Sequence, residues 1–200
     1  MRLMEKKITF SLPDNSEVVL NSGSEIKFKK WNWNNNRTLK LDGEAFFKVA
    51  KGKKFEVETN LGKVAVLGTQ FNVKARENRF DITCFEGRVK VNYKDKEIIL
   101  THGQSVSFEN GSQINTKATN QNPEWLENQI AFNKEHLRAI LDEIQRQYNV
   151  SIEVKTTYPD ELFTGKIPTN NLDIALKIIA TTYHLESTKT ESNKIIFEGK

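Results

Sequence analysis

The chain has 200 residues but a single cysteine, Cys84, only three histidines and no long apolar run. Each scarcity removes a class of answers. One cysteine excludes an internal disulfide and a cysteine zinc site. Its setting, DITCFEG, alternates as a strand and makes it an inert, inward-facing thiol. No stretch approaches the roughly 18 apolar residues that cross a bilayer as a helix. Met1 to Glu5 lack the apolar core of a signal peptide. His102, His136 and His184 fall in three different segments, and no two have metal-ligand spacing. A cupin-type metal barrel needs several histidines and a carboxylate from adjacent strands. P-loop, dinucleotide and nucleophile-elbow motifs are missing. Gly68-Thr69 reads as a bulge, not a phosphate cradle. Gly43-Glu44 and Glu86-Gly87 read as turns, not as a glycosidase carboxylate pair. No catalytic residue, metal or cofactor is expected. The net charge of +4 is mild. Lys29 and Lys30, and Lys51, Lys53 and Lys54, read as solvated turns, and nothing resembles a nucleic-acid motif.

What the chain does have is concentrated in residues 37–75, RTLKLDGEAFFKVAKGKKFEVETNLGKVAVLGTQFNVKA. Apolar residues recur mostly at every second position within three runs: Leu39, Leu41, Phe47 and Val49, then Phe55 and Val57, then Val64, Val66, Leu67, Phe71 and Val73. This is the period of strands with one buried face. Gly43, Gly52, Gly62 and Gly68 stand where turns or bulges are needed.

Strands also fit Ile8 to Leu12, Glu17 to Leu20 and Glu25 to Lys30 before this stretch. After it they fit Phe80 to Phe85, Arg88 to Tyr93, Glu97 to Leu100 and Ser105 to Phe108. Turn signals recur about every ten residues, giving about ten to twelve strands and almost no helix. A β stack, barrel or jelly-roll-like fold absorbs that many strands with few raw edges. Trp31 and Trp33 sit at i and i+2, which on a strand puts both on one face. Two readings stand. They form a sugar-stacking or protein-docking platform, or they cap one end of the β core beside an Asn34-Asn35-Asn36 turn.

Residues 110–122 lose apolar character and read as a linker after a β domain over 6–109. Residues 123–200 read as a small α+β domain, with two helices on one face of a sheet. Asn133 is the expected cap of a first helix with the stripe Leu137, Ile140, Leu141, Ile144 and Tyr148. Glu143, Arg146 and Gln147 are expected on its solvent side. Asn170 or Asn171 caps a second helix with the stripe Leu172, Ala175, Leu176, Ile179 and Tyr183. A hairpin across Glu191-Ser192-Asn193 closes the chain. Its last strand, Lys194, Ile195, Ile196 and Phe197, is expected at a sheet edge, open to pairing with a strand of another protein.

The words LDGEAFFKV, FEVETNLGKVAVLGTQFNVKA and FEGRVKV, in that order, resemble the periplasmic domain of the FecR family, from about Ile8 to about Phe108. From Trp125 onward the chain resembles the domain that follows it, which is similar to the short N-terminal domain of secretins and TonB-dependent receptors. The resemblance implies the periplasmic part of a single-pass inner-membrane anti-sigma factor. Its implied partners are the signalling domain of an outer-membrane TonB-dependent receptor and, through a cytoplasmic segment outside this chain, an extracytoplasmic-function sigma factor. Met1 to Glu5 would be the tail of the membrane helix or a non-native addition. A carbohydrate-binding module using Trp31 and Trp33 is the alternative function.

Overall fold

A computed structural model describes residues 7–118, 120–190 and 193–199. Met1 to Glu5, and Glu191 and Ser192 of the expected final turn, lie outside the described residues. The chain divides after Pro123 into two compact units.

The first unit is built from strands: β1 Ile8–Ser11, β2 Glu17–Leu20, β3 Glu25–Phe28, β4 Arg37–Lys48, β5 Phe55–Glu58, β6 Lys63–Val66, β7 Gln70–Arg76, β8 Arg79–Glu86, β9 Arg88–Tyr93, β10 Lys96–Thr101, β11 Gln104–Glu109 and β12 Ser112–Lys117. All twelve join one curled sheet. The long strand β4 makes the curl. Its first half pairs with β3 and, in parallel, with β5. Its second half pairs with β2 and β7. One strand therefore carries two ladders, and the ladders face each other across the core.

Aromatic contacts define that core. Phe47 of one ladder meets Phe55 of the other at 6.0 Å between ring centroids. Tyr93 stacks on Phe108 at 4.1 Å. Leu20, Leu39, Val57, Phe71, Phe80, Ile82 and Val91 complete it. Each large apolar side chain buried this way contributes about 1.5–3 kcal/mol. The sequence reads Gly43 as a turn or bulge, and β4 runs on through it. Gly43 takes φ +109, and a Cβ there would lie 2.8 Å from Ser24 Cα. The glycine changes the strand's direction where a turn was expected to end it.

A second correction concerns residues 110–122. Ser112–Lys117 form β12, paired along its whole length with β11. Asn110 and Gly111 both take positive φ, at 49 and 84. That is the geometry of a tight hairpin, for which Asn-Gly is the preferred pair.

The second unit contains β13 Gln129–Glu135, α1 Leu137–Tyr148, β14 Ser151–Val154, β15 Phe163–Pro168, α2 Leu172–Thr182, β16 Leu185–Lys189 and β17 Lys194–Gly199, preceded by a single 3-10 turn at Glu124–Glu127. The two helices and a final strand pair follow the sequence expectation. The strands, however, form two sheets, β13-β15 and β14-β17-β16. Leu137, Ile140, Leu141 and Ile144 of α1 pack with Ala175, Leu176 and Ile179 of α2 in one core with Ile195 and Phe197.

Asn171 caps α2, its Oδ1 accepting from Ile174 N at 3.1 Å. Asn133 caps nothing, because β13 continues through it. A bulge between Phe132 and Glu135 absorbs Lys134 at φ +54, and Lys134 N donates to Thr164 Oγ1 at 3.0 Å. Helix α1 instead starts after His136, without a side-chain cap. Glu143 and Gln147, expected in solvent, are buried. Gln147 Nε2 donates to one Glu143 oxygen at 2.8 Å, and Arg146 Nη2 to the other at 2.9 Å, so the buried carboxylate is answered.

Candidate functional site

Strand β17 is the first place to look, and it is not an edge. It lies in the middle of its sheet, parallel to β14 on one side and antiparallel to β16 on the other. Ile195 and Phe197 point into the core, at 2% and 0% exposure. Lys194 Nζ pairs with Glu153 Oε2 at 2.6 Å. This hydrogen bond, with the Lys194 charge, holds the Glu153 carboxyl below its ordinary range. Backbone pairing by residues 194–197 is therefore complete, and they cannot accept a partner strand.

The open edges belong to β14 and β16. They differ in how far they are closed. On β14 the Ile152 N–H is bound by Gln145 Oε1 from α1 at 2.8 Å. No such closure is present on β16 among the described residues. Thr190 N donates to Lys194 O at 2.9 Å, so by antiparallel alternation the Thr188 and Glu186 backbones also face β17. The N–H and C=O of Ser187 and Lys189 then face outward. Leu185 alone anchors β16 to the core, while Glu186 through Lys189 are exposed. Lys189 forms an ion pair with Asp173 at the start of α2. This is a short, polar edge whose outward Ser187 and Lys189 backbone groups have no partner among the described residues.

The two tryptophans do not form a platform. Residues 31–35 are a turn rather than a strand. Asn32 takes φ +63, and its carbonyl accepts from Asn35 N and Asn36 N, each at 3.1 Å. Trp33 plugs into the core, edge-on to Phe28 at 5.3 Å and to Phe55 at 6.0 Å. Trp31 is thrown outward and is 86% exposed. The core-capping reading holds for Trp33 and fails for Trp31.

At the same end, Arg37 is buried over the Phe55 ring. It pairs with Asp14 at 2.7 Å and donates to the carbonyls of Ala50 and Lys53. Burial pushes the Asp14 carboxyl up. Hydrogen bonds from the Ser16 side chain and backbone, and behind them the Arg37 charge, outweigh it, so the net shift is downward. Asp14 thus stays ionised and locks the start of β4 to the chain beyond its end. Glu44, also buried, accepts from Asn21 Nδ2 at 3.0 Å and Asn72 Nδ2 at 2.9 Å. Both carboxylates are held by structural partners.

Among the described residues no group of histidines, cysteines and carboxylates converges as a metal site. His102 is bound to Phe85 O. Cys84 is buried, and burial pushes its thiol up to about 11, against a weaker hydrogen bond to the Glu86 backbone. An open cleft of about 430 Å³ is lined by Glu25, Lys27, Lys40, Asp42, Glu58 and Lys63 among others. Lys27 and Lys63 are paired there with Glu25 and Glu58. Among the described residues no helix is long and apolar enough to cross a membrane.

Sequence reasoning missed the β16 edge, though a signal was present. Ile195-Ile196-Phe197 is a continuous apolar run, the mark of a strand covered on both sides, whereas LESTK in β16 is polar.

Two family profiles match the chain, FecR protein over residues 4–90 and FecR, C-terminal, over residues 129–197. No curated protein matches it. A crystal structure of a candidate anti-sigma factor from Parabacteroides distasonis superposes with a TM-score of 0.90 at 25% identity, covering 100% of this chain and 98% of that one. A second crystal structure under the same description, from the same organism, gives 0.89 at 24% identity and covers 100% and 97%. Both family profiles and both units of the fold agree, and the chain belongs to the FecR family of anti-sigma regulators.

Proposed function

We propose that this chain is the periplasmic part of an inner-membrane anti-sigma regulator and receives its signal by strand addition on β16. The family is regulatory and membrane-anchored, and its members bind a sigma factor or a receptor. The incoming partner in this reading is the signalling domain of an outer-membrane TonB-dependent receptor. The output passes through a cytoplasmic segment outside this chain to an extracytoplasmic-function sigma factor. The observation that carries the reading is the unclosed β16 edge on a small α+β unit. A partner of the same fold type could extend the β14-β17-β16 sheet by backbone pairing.

Ser187→Pro tests it. The substitution removes an outward N–H and leaves the bonds to β17 in place, and proline is tolerated on an edge strand. The expected result is a folded protein that no longer pulls down the cognate receptor's signalling domain. A folded Ser187→Pro protein that binds as well as the parent would refute the β16 route. A parent chain that never binds such a domain would refute the receptor relay.

A further inference from the structure

Four loops meet at the end of the β unit marked by Trp31, and their chemistry is not used by the β16 edge. Lys53 Nζ donates to Asn34 O at 3.1 Å and to Asn35 Oδ1 at 3.4 Å, tying the β4–β5 loop to the Trp31 turn. Gly52 N donates to Leu67 O at 2.9 Å, tying that loop to the β6–β7 turn. Thr69 Oγ1 donates to Arg88 O at 3.1 Å, adding the start of β9. Gly68 takes φ +150, and a Cβ there would sit 2.7 Å from Lys51 Cα, so the two loops are in close contact.

This end carries two exposed apolar tips, Trp31 at 86% and Leu67 at 64%. The lysines around them are exposed as well. Lys29, Lys30 and Lys51 have no carboxylate partner among the described residues, and the Lys53 ammonium bonds there only to the Asn turn. The nearby acids are already engaged: Asp14 with Arg37, Glu56 with Lys54, and Glu86 with Gln70. Trp33, buried in the core, and the Asn32 carbonyl, which accepts from Asn35 and Asn36, fix the path of the turn. Trp31 is therefore presented outward by the packing of its neighbour.

We propose that this loop end docks on an anionic phospholipid surface, with Trp31 and Leu67 entering the headgroup layer and Lys29, Lys30, Lys51 and Lys53 contacting phosphates. Tryptophan favours the interface between headgroups and acyl chains, and unmatched lysines beside it add attraction to anionic lipid. A nucleic-acid site would need further stacking faces or a basic groove, and among the described residues this end offers one exposed indole. The loop end and β16 belong to different units and share no residue, so the proposal does not rest on the receptor relay.

The test is flotation of the full chain with phosphatidylcholine vesicles, plain or with about a third phosphatidylglycerol, at low and physiological salt. Tryptophan emission is followed in parallel. Trp33 and Trp125 are 2% and 6% exposed, so a blue shift on binding reports Trp31. Binding is expected only to the anionic vesicles, weakening with salt. Lys29→Glu with Lys30→Glu should lower the affinity roughly tenfold or more. Trp31→Ala should abolish the shift and weaken binding several-fold, with an unchanged urea midpoint in both variants. Ser187→Pro should bind vesicles as the parent does. No binding to anionic vesicles at low salt overturns the proposal, as does equal binding to neutral ones or indifference to both variants. Binding to an acidic protein lost in the same variants, without vesicle binding, also overturns it.

Discussion

Replacing Gly43 by alanine tests the claim that one bent strand organises the β unit. Two costs follow from the geometry. At φ +109 an alanine sits outside the regions open to L-residues, which costs about 1–3 kcal/mol. Its Cβ would also meet Ser24 at backbone distance, 2.8 Å from Cα and 2.6 Å from Cβ. Ser24 cannot retreat freely. Its Oγ accepts from Glu44 N at 2.9 Å and from Arg76 Nη2 at 3.2 Å. Moving it strips a buried backbone N–H of its partner, a further cost of about 1–3 kcal/mol. The sum is about 2–6 kcal/mol, which lowers the melting temperature of the β unit by roughly 10 °C or more. Gly103→Ala is the control. Gly103 also has positive φ, at +77, but nothing lies within 4 Å of its missing Cβ. It should cost only about 1–2 kcal/mol. The assay is urea unfolding of each full-length variant, followed by far-ultraviolet circular dichroism. Equal losses for the two glycines would refute the reasoning, because they would leave the close approach to Ser24 with no energetic consequence.

Three further expectations concern single groups. Asp14 has a lowered pKa when folded, so its contribution is present above the unfolded carboxyl value and is lost as pH falls through the folded one. Asp14→Asn should destabilise by about 1–3 kcal/mol at pH 7. Its gap to the parent should shrink as acid titrates the parent, as read from urea midpoints between neutral pH and about pH 3. Cys84, with its thiol pushed up to about 11, should resist iodoacetamide at pH 8 in the native state and react once the chain is unfolded in urea. Native labelling at the unfolded rate would contradict its burial. Asn171→Ala should lose the α2 cap and about 1 kcal/mol, measured as a lower midpoint for the second unit, and Asn133→Ala should not.

Most of the β unit was legible because its strands alternate and its turns are signalled by glycine, proline and asparagine. Residues 37–75 supplied the centre of the fold, as read from period alone. What period could not show is which neighbour a strand takes. Nothing in RTLKLDGEAFFK says that its two halves pair with different strands. That depends on Ser24 packing against a residue with no side chain. Trp31 and Trp33 do not share a face because alternation holds only in a strand, and Asn32 in the left-handed region breaks it. The stripe of α1 was read correctly, but a stripe does not show how wide a face is covered, and Glu143 and Gln147 lie within the covered part. Residues 110–122 were misread by composition alone. Asn110-Gly111 carried the hairpin signal, and polar residues suit a strand such as β12, most of whose side chains are exposed.

The placement of β17 changes the functional argument more than any other correction. A hairpin accounts for one side of its last strand only, which on sequence grounds leaves the other side open. The parallel return of β14 reverses this, because a strand from before α2 fills the space beside β17. Apolar content then sorts the sheet: Ile195 and Phe197 go to the centre, and the polar Glu186-Ser187-Thr188-Lys189 run goes outside. In this sheet, among the described residues, the same sorting leaves β16 as the better acceptor. Strand β14 already spends an outward N–H on Gln145, and a partner strand there would have to displace that bond. On β16 a partner meets Ser187 and Lys189 backbone groups with no competing bond among the described residues. Strand addition at β16 thus starts from solvated groups, whereas at β14 it starts from a bond that must first be broken, at a cost of about 1 kcal/mol. Gln145→Ala should therefore free the β14 edge without strengthening receptor binding, and a clear gain in affinity would move the acceptor to β14.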